Sequence, residues 1–151
     1  MPDRLESLLA ASDAVSVHCP LTDETRNMID AGTLAAMNAH AILINTARGA
    51  IVDIPALVEA LRAGTIAGAG IDVLPVEPPA ENDVIAQVYR NSTDSILGER
   101  LIVTPHAAWS SPESVADARR LAVETAMLYL REGRLRNLVN NPPRDRRRGL
   151  A

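Results

Sequence analysis

Three residues of different chemistry stand roughly thirty positions apart in this sequence: Arg48 in INTARG, Glu77 in LPVEPP and His106 in VTPHAAW. A guanidinium pairs bidentately with a carboxylate and an imidazole titrates near neutrality, so the set can hold an anionic substrate while moving a proton. A carboxylate beside the imidazole favours its protonated form. Taken singly, each has a plain alternative: Arg48 as a surface or capping arginine, Glu77 as a solvated loop acid, His106 as a turn residue after Pro105. What unites them is the type of segment before each one. Arg48 follows the apolar run 41–45, Glu77 follows 66–73 and His106 follows 101–104. In open parallel sheets ligands bind beyond the carboxyl ends of the strands. Three strands would therefore deliver a cation, a carboxylate and an imidazole to one sheet edge.

The elements that must position them follow from periodicity. Short β-branched runs alternate with helical stretches, the pattern of parallel strands joined by helical crossovers, so the fold class is α/β and doubly wound. A first helix near 3–11 presents Leu5, Leu8 and Leu9 on one side, Asp13 marks a turn, and a strand covers 14–18. The polar loop 20–27 leads to a short helix near 31–38 and then to the strand 41–45. In the next helix Asp53 caps, Pro55 sits in the first turn, Ile54, Leu57, Val58 and Leu61 recur at helical spacing, and Gly64 ends it. The third strand, 66–73, contains Ala67, Gly68, Ala69 and Gly70, whose small side chains imply close approach by a helix or ligand. Residues 78–100 read as a long connection with one helical turn near 84–89, before the strand 101–104. Ser111 caps and Pro112 opens a last helix of about twenty residues that stops near Gly133. Val115, Ala118, Leu121, Ala122, Thr125 and Leu128 form its expected inner side.

Composition narrows the function classes. The chain has 151 residues, 47% hydrophobic and 23% charged, which suits a globular domain and excludes disorder and fibre. No window approaches the roughly 18–20 apolar residues that span a bilayer, and Met-Pro-Asp-Arg at the start lacks a signal peptide's apolar run. A cytoplasmic protein without membrane contact is expected. The single cysteine, Cys19, excludes an internal disulfide, and with His18, His40 and His106 scattered, no metal site is expected. All fifteen basic residues are arginine, seven of them in residues 131–151. The cluster Arg144, Arg146, Arg147 and Arg148 follows two asparagines and two prolines and reads as a solvated, disordered tail rather than a nucleic-acid surface.

Other side chains stay open between chemistry and packing. His18 and Cys19 end a strand and either line a cofactor groove or fill the core, whereas His40, at a helix-to-strand turn, reads as structural. Trp109 either walls a pocket or packs. A dinucleotide site needs a glycine-rich GxGxxG turn between a strand and a helix. Gly68 and Gly70 supply only GxG inside a strand, so the sequence carries half of such a site.

Four segments in order, SDAVSVHCPLTDETRNMID, ILINTARGAIVD, AGIDVLPVEPP and IVTPHAAW, resemble the D-isomer-specific 2-hydroxyacid dehydrogenases over residues 5 to about 140. The HAAW word and the long segment before it are most similar to the C-terminal-binding-protein branch. The resemblance implies the C-terminal half of a Rossmann-type NAD-binding domain over residues 1–112, a helix over 113–140 that returns to a substrate domain, and the basic tail over 141–151. It implies that Arg48 holds the carboxylate of a small 2-hydroxy or 2-keto acid, that His106 is the general acid and base, and that Glu77 orients His106. It places His18, Cys19, Pro20 and Thr25 along the adenosine side of NAD, Thr46, Ala47, Arg48 and His106 near its nicotinamide end, Asp72 at the carboxamide, and Trp109 in the substrate pocket. Family members are about twice this length and begin with a substrate domain, followed by a strand, a GxGxxG turn and a second strand, all of which are missing here. The expectation is a fragment that is inactive alone, functioning as a homodimer or with a partner that supplies the other half. The alternative, from the co-repressor relatives, is a non-catalytic module that dimerises with NAD and binds peptides.

Overall fold

The apolar runs form one parallel sheet of four strands, β1 (Ala14–Val17), β2 (Ile42–Asn45), β3 (Gly68–Ile71) and β4 (Leu101–Val103), in the order β1-β2-β3-β4. This computed structural model describes residues 2–91 and 94–138, so the expected tail at 141–151 lies outside the described residues. The register aligns Ser16, Ile44, Gly70 and Ile102 across the sheet. Alternation then sorts the faces: Val17, Leu43, Ala69, Ile71 and Leu101 are buried, whereas Ile42 is 42% and Ile102 70% exposed. The third strand is shorter than its apolar run, but bonds from Ala67 N to Ala41 O and from Asp72 N to Asn45 O continue the pairing beyond both ends of its ladder.

Helices α1 (Pro2–Ala10), α2 (Ala31–Ala35) and α3 (Ile54–Ala63) alternate with the first three strands. In α1 Leu9 is buried, but Leu8 is 55% exposed, because neighbours in a helix point about 100° apart and only one of them can face the core. An Asp30–Thr33 capping box starts α2. In α3 the Asp53 carboxylate accepts from Ala56 N, and Gly64 closes the helix at φ 70°, a left-handed conformation suited to glycine. Its Leu57 and Leu61 are fully buried; burial stabilises each by roughly 1.5–3 kcal/mol.

The connection before β4 is more helical than the sequence suggested. It contains α4 (Val84–Asn91) and α5 (Ser95–Arg100). Asp83 accepts from the amides of Ile85 and Ala86, and Asp94 from those of Ile96 and Leu97, so two carboxylate caps start helices in a stretch that composition marks as loop. Ile85 and Leu97 are the apolar anchors, 1% and 0% exposed. Arg100 Nη1 donates to Leu61 O at 2.9 Å, tying α5 to the end of α3. A Cβ on Gly68 would lie 3.2 Å from the Arg100 carbonyl, the close helix approach that its size implied.

Two units are present, residues 1–108 with the sheet and residues 109–151, whose described part holds α6 (Pro112–Glu132). The ends of α6 are as expected: a Ser111–Ser114 capping box with Pro112 at its start, and Gly133 at φ 63° after it. Its expected inner side is not found, since no residue of α6 is buried and Leu121 is 40% exposed. An amphipathic pattern states which face can be covered, not that a cover is present.

Candidate active site

The loop after β2 is built on a buried amide. Asn45, fully buried, donates from Nδ2 to Arg48 O at 3.0 Å and accepts at Oδ1 from Ala47 N at 3.0 Å, folding the chain back on itself. A short 3-10 turn, Gly49–Ile51, follows, and the segment before α2 braces it through Ile29 N to Ile51 O and Asp53 N to Ile29 O. Gly49 is held tightly. A Cβ there would lie 2.0 Å from the Leu74 carbonyl carbon and 2.3 Å from Pro75 N. The loop that carries Arg48 therefore lies directly on the loop that leads to Glu77. Arg48 is exposed, and its Nη1 donates to Ala47 O at 2.6 Å.

Beyond β3 and β4 the other two residues meet. His106 Nδ1 lies 2.7 Å from Glu77 Oε2, and Glu77 Oε1 accepts from Leu74 N at 2.7 Å. The His106 bond, then the Leu74 amide, hold the Glu77 carboxyl below its ordinary value. An ionised Glu77 only accepts, so Nδ1 carries the hydrogen and Nε2 is the ring atom left for a proton in transit.

Asp72, 5% exposed, organises the histidine's turn. Its Oδ1 accepts from the Thr104 hydroxyl and from Ala107 N at 2.8 Å, its Oδ2 from Ala108 N at 2.9 Å, and its carbonyl from His106 N at 2.9 Å. Burial alone would raise this carboxyl, but the bonds from Thr104, Ala108 and Ala107 outweigh it and hold the group below the usual range. His106 itself adopts φ 52°, and the successive amides after it form the kind of concavity that takes an anion.

Two adjoining grooves run along this edge. One, of about 620 Å³, is lined by His18, Cys19, Pro20, Leu21, Thr46, Ala47 and Arg48. The other, of about 370 Å³, is lined by Thr46, Gly70, Asp72, Thr104, Ala107, Ala108 and neighbouring isoleucines. Thr46 borders both. Thr25 lines neither: its hydroxyl donates to Pro20 O at 2.7 Å and staples the loop that presents Pro20. His18 Nε2 is 2.7 Å from Ser16 Oγ. His40 pairs with Asp13 at 2.7 Å, away from these grooves. Trp109, 61% exposed, opens the second unit. Asn45, Gly49 and Thr104 escape a search for reactive groups. The signal for Asn45 is a lone amide ending an apolar strand. Among the described residues no group of three or more His, Cys, Asp or Glu is placed to hold a metal, and no helix is long and apolar enough to cross a membrane.

A family model described as the NAD binding domain of D-isomer specific 2-hydroxyacid dehydrogenases matches residues 1–108. The chain is 49% identical over 111 residues to a glycerate dehydrogenase of Methylorubrum extorquens, covering 74% of this chain and 33% of that protein. It superimposes on a D-lactate dehydrogenase from Sporolactobacillus at TM-score 0.74 and 31% identity, covering 92% of this chain and 43% of the other. The NAD-complexed D-isomer specific 2-hydroxyacid dehydrogenase of Lactobacillus delbrueckii gives 0.74 and 34%, with coverages of 89% and 42%. The chain thus spans a third of the curated relative's length and under half of either structure. None of these likenesses singles out the C-terminal-binding-protein branch. A parallel half-sheet with an imidazole–carboxylate pair at its carboxyl edge, matched by a family model, by sequence and by backbone to dehydrogenases of this kind, leads to one assignment: the chain belongs to the D-isomer specific 2-hydroxyacid dehydrogenases, with residues 1–108 in their NAD-binding domain.

Proposed function

We propose that the chain is the catalytic half of an NAD-dependent oxidoreductase domain acting on the CH–OH group of D-2-hydroxy acids, and in reverse reducing 2-keto acids. The observation that carries this reading is the 2.7 Å His106–Glu77 pair at the sheet edge, beside the loop that bears Arg48. Arg48 pairs with the substrate carboxylate. His106 exchanges the hydroxyl proton at Nε2, and Glu77 orients the ring and stabilises its charged form. NAD supplies the hydride acceptor. The residues present fit its nicotinamide half: nothing lies within 4 Å of a Cβ built on Gly70, so the sheet leaves room for a flat ring. Thr46 borders that space and Ala47 the adjoining groove, and Asp72, with one lone pair of Oδ2 still open, would accept from the carboxamide. His18, Cys19 and Pro20 continue toward the adenosine side, with Thr25 supporting their loop.

The pyrophosphate needs a glycine-rich turn, which residues 1–151 do not contain, so this reading includes a polypeptide segment that carries the other half of the domain. The exposed face with Ile42 and Ile102 supports it, because parallel sheets are covered on both sides. The single cysteine favours a cytoplasmic setting.

The test is a chimera in which residues 1–108 replace the matching segment of the glycerate dehydrogenase relative, assayed for NADH oxidation with glyoxylate, hydroxypyruvate and longer 2-keto acids. Turnover that His106→Ala abolishes supports the proposal. A folded chimera that binds NADH without turning over any of these acids refutes it.

A further inference from the structure

We propose that Thr104 is a positioning residue for His106, its hydroxyl locking the Asp72 carboxylate onto the 106–108 turn so that the imidazole is held against Glu77. This rests on the reading of His106 as the proton-exchanging group and adds a residue to it. The geometry forms a closed circuit. Thr104 Oγ1 donates to Asp72 Oδ1 at 2.5 Å, and the same oxygen accepts from Ala107 N, while Oδ2 accepts from Ala108 N. The main chain repeats the link, with Thr104 N on Ile71 O and His106 N on both Asp72 O and Thr104 O. Between these anchors His106 adopts a left-handed backbone that side-chain-bearing residues visit rarely. That conformation aims its Cα–Cβ bond, and through it the ring, at Glu77. Relaxing the turn to negative φ swings the ring away.

The hydroxyl is the only side-chain donor to Asp72 among the described residues' hydrogen bonds, and it comes from an exposed residue with no part in the apolar core. The two backbone amides, one on each oxygen, tie the carboxylate to the 107–108 segment alone. The hydroxyl is a second donor on Oδ1 and ties the same carboxylate to the end of β4, so that the turn is held to the sheet. Because Thr104 is exposed, its hydroxyl can be deleted without opening a core cavity, which makes the inference testable on the chain itself.

The experiment compares Thr104→Val, which keeps the branched shape and removes the donor, with Thr104→Ser, which keeps the donor. Amide exchange is followed at Ala107 and Ala108 against Leu43 in the sheet, and the His106 ring tautomer by long-range proton–nitrogen NMR in mildly alkaline buffer. The expected result is that Thr104→Val speeds exchange at Ala107 and Ala108 by roughly five- to tenfold relative to Leu43 and shifts the ring from the Nδ1-protonated form. Thr104→Ser restores both. The inference is overturned if Thr104→Val leaves the tautomer and the two amides unchanged. Equal loss in Thr104→Ser, uniform loss across the sheet, or a Thr104→Val chain that fails to fold while Thr104→Ser folds would each overturn it too. Neither readout uses turnover, so an inactive chimera would remove the dehydrogenase reading and leave the circuit intact.

Discussion

Both ends of the sheet carry a histidine paired with a carboxylate at 2.7 Å. At the amino end His40 meets Asp13, on turns just before β2 and β1; at the carboxyl end His106 meets Glu77, after β4 and β3. Their surroundings separate them. The His40 and Asp13 side chains are 70% and 86% exposed, those of His106 and Glu77 45% and 36%. Behind His106 stand the buried Asp72, the left-handed turn and the loop on which Gly49 is packed; behind His40 and Asp13 run Ile42 N to Asp13 O, Ala41 N to Asn38 O and Asn38 Nδ2 to Ser12 O, with no buried carboxylate among them. A short distance between ionisable groups is therefore a poor marker of a site. Pre-set geometry distinguishes the two, because a group that moves protons must already be in place when substrate arrives.

The sharpest way to break this comparison is by activity. In the chimera, His106→Ala lowers kcat/KM by about 10²–10⁴-fold, the usual worth of a general acid–base group, whereas His40→Ala leaves it unchanged. Packing gives the next largest effect. Gly49→Ala pushes a methyl into the Leu74–Pro75 peptide and destabilises the fold by about 3 kcal/mol in urea titrations. At the amino end Gly64→Ala costs about 1 kcal/mol, chiefly for backbone conformation, since its Cβ meets only the end of the Arg100 side chain, at 3.1 Å. Acid then acts on the carboxyl end. The folded state holds Glu77 below its ordinary 4.5, and Asp72 below its ordinary 3.8, so both favour folding fully above those values and lose this contribution as pH falls through the lower folded ones. Urea midpoints between roughly pH 6 and pH 3 should fall less steeply in Glu77→Gln than in the wild type. The smallest change is at the exposed pair, where Asp13→Asn shifts stability by at most about 0.5 kcal/mol.

Much of the scaffold was legible because its signals are local. Apolar runs of four to eight residues marked the strands, and Asp53, Pro55 and Gly64 marked α3, since caps act on amides within one turn. The helix at 95–100 escaped notice although Asp94 caps it, because its remaining support is remote: Arg100 reaches Leu61 O, and Arg62 pairs with Asp94 at 2.9 Å, across more than thirty residues. The face of α6 was misread for a related reason. Its spacing of leucines and alanines describes an amphipathic helix, but burial depends on what stands opposite, and none of its residues is buried. At the site, reactive side chains announced themselves by type, whereas Asn45, Gly49 and Thr104 act through bonds or contacts that composition does not reveal.

The order of residues by itself determined that strands and crossovers alternate, that a guanidinium, a carboxylate and an imidazole each follow a strand, and which family's words surround them. Those are properties of short windows, where periodicity and side-chain chemistry suffice. Only the folded chain decided that Glu77 and His106 touch, that Gly49 lies on the Leu74–Pro75 peptide, and that Asp72 turns inward to hold the 104–108 loop instead of standing in solvent. Each of these depends on register between strands distant in sequence, and register is set by the whole sheet at once, through the burial of one face and the hydrogen bonding of every strand to its neighbours.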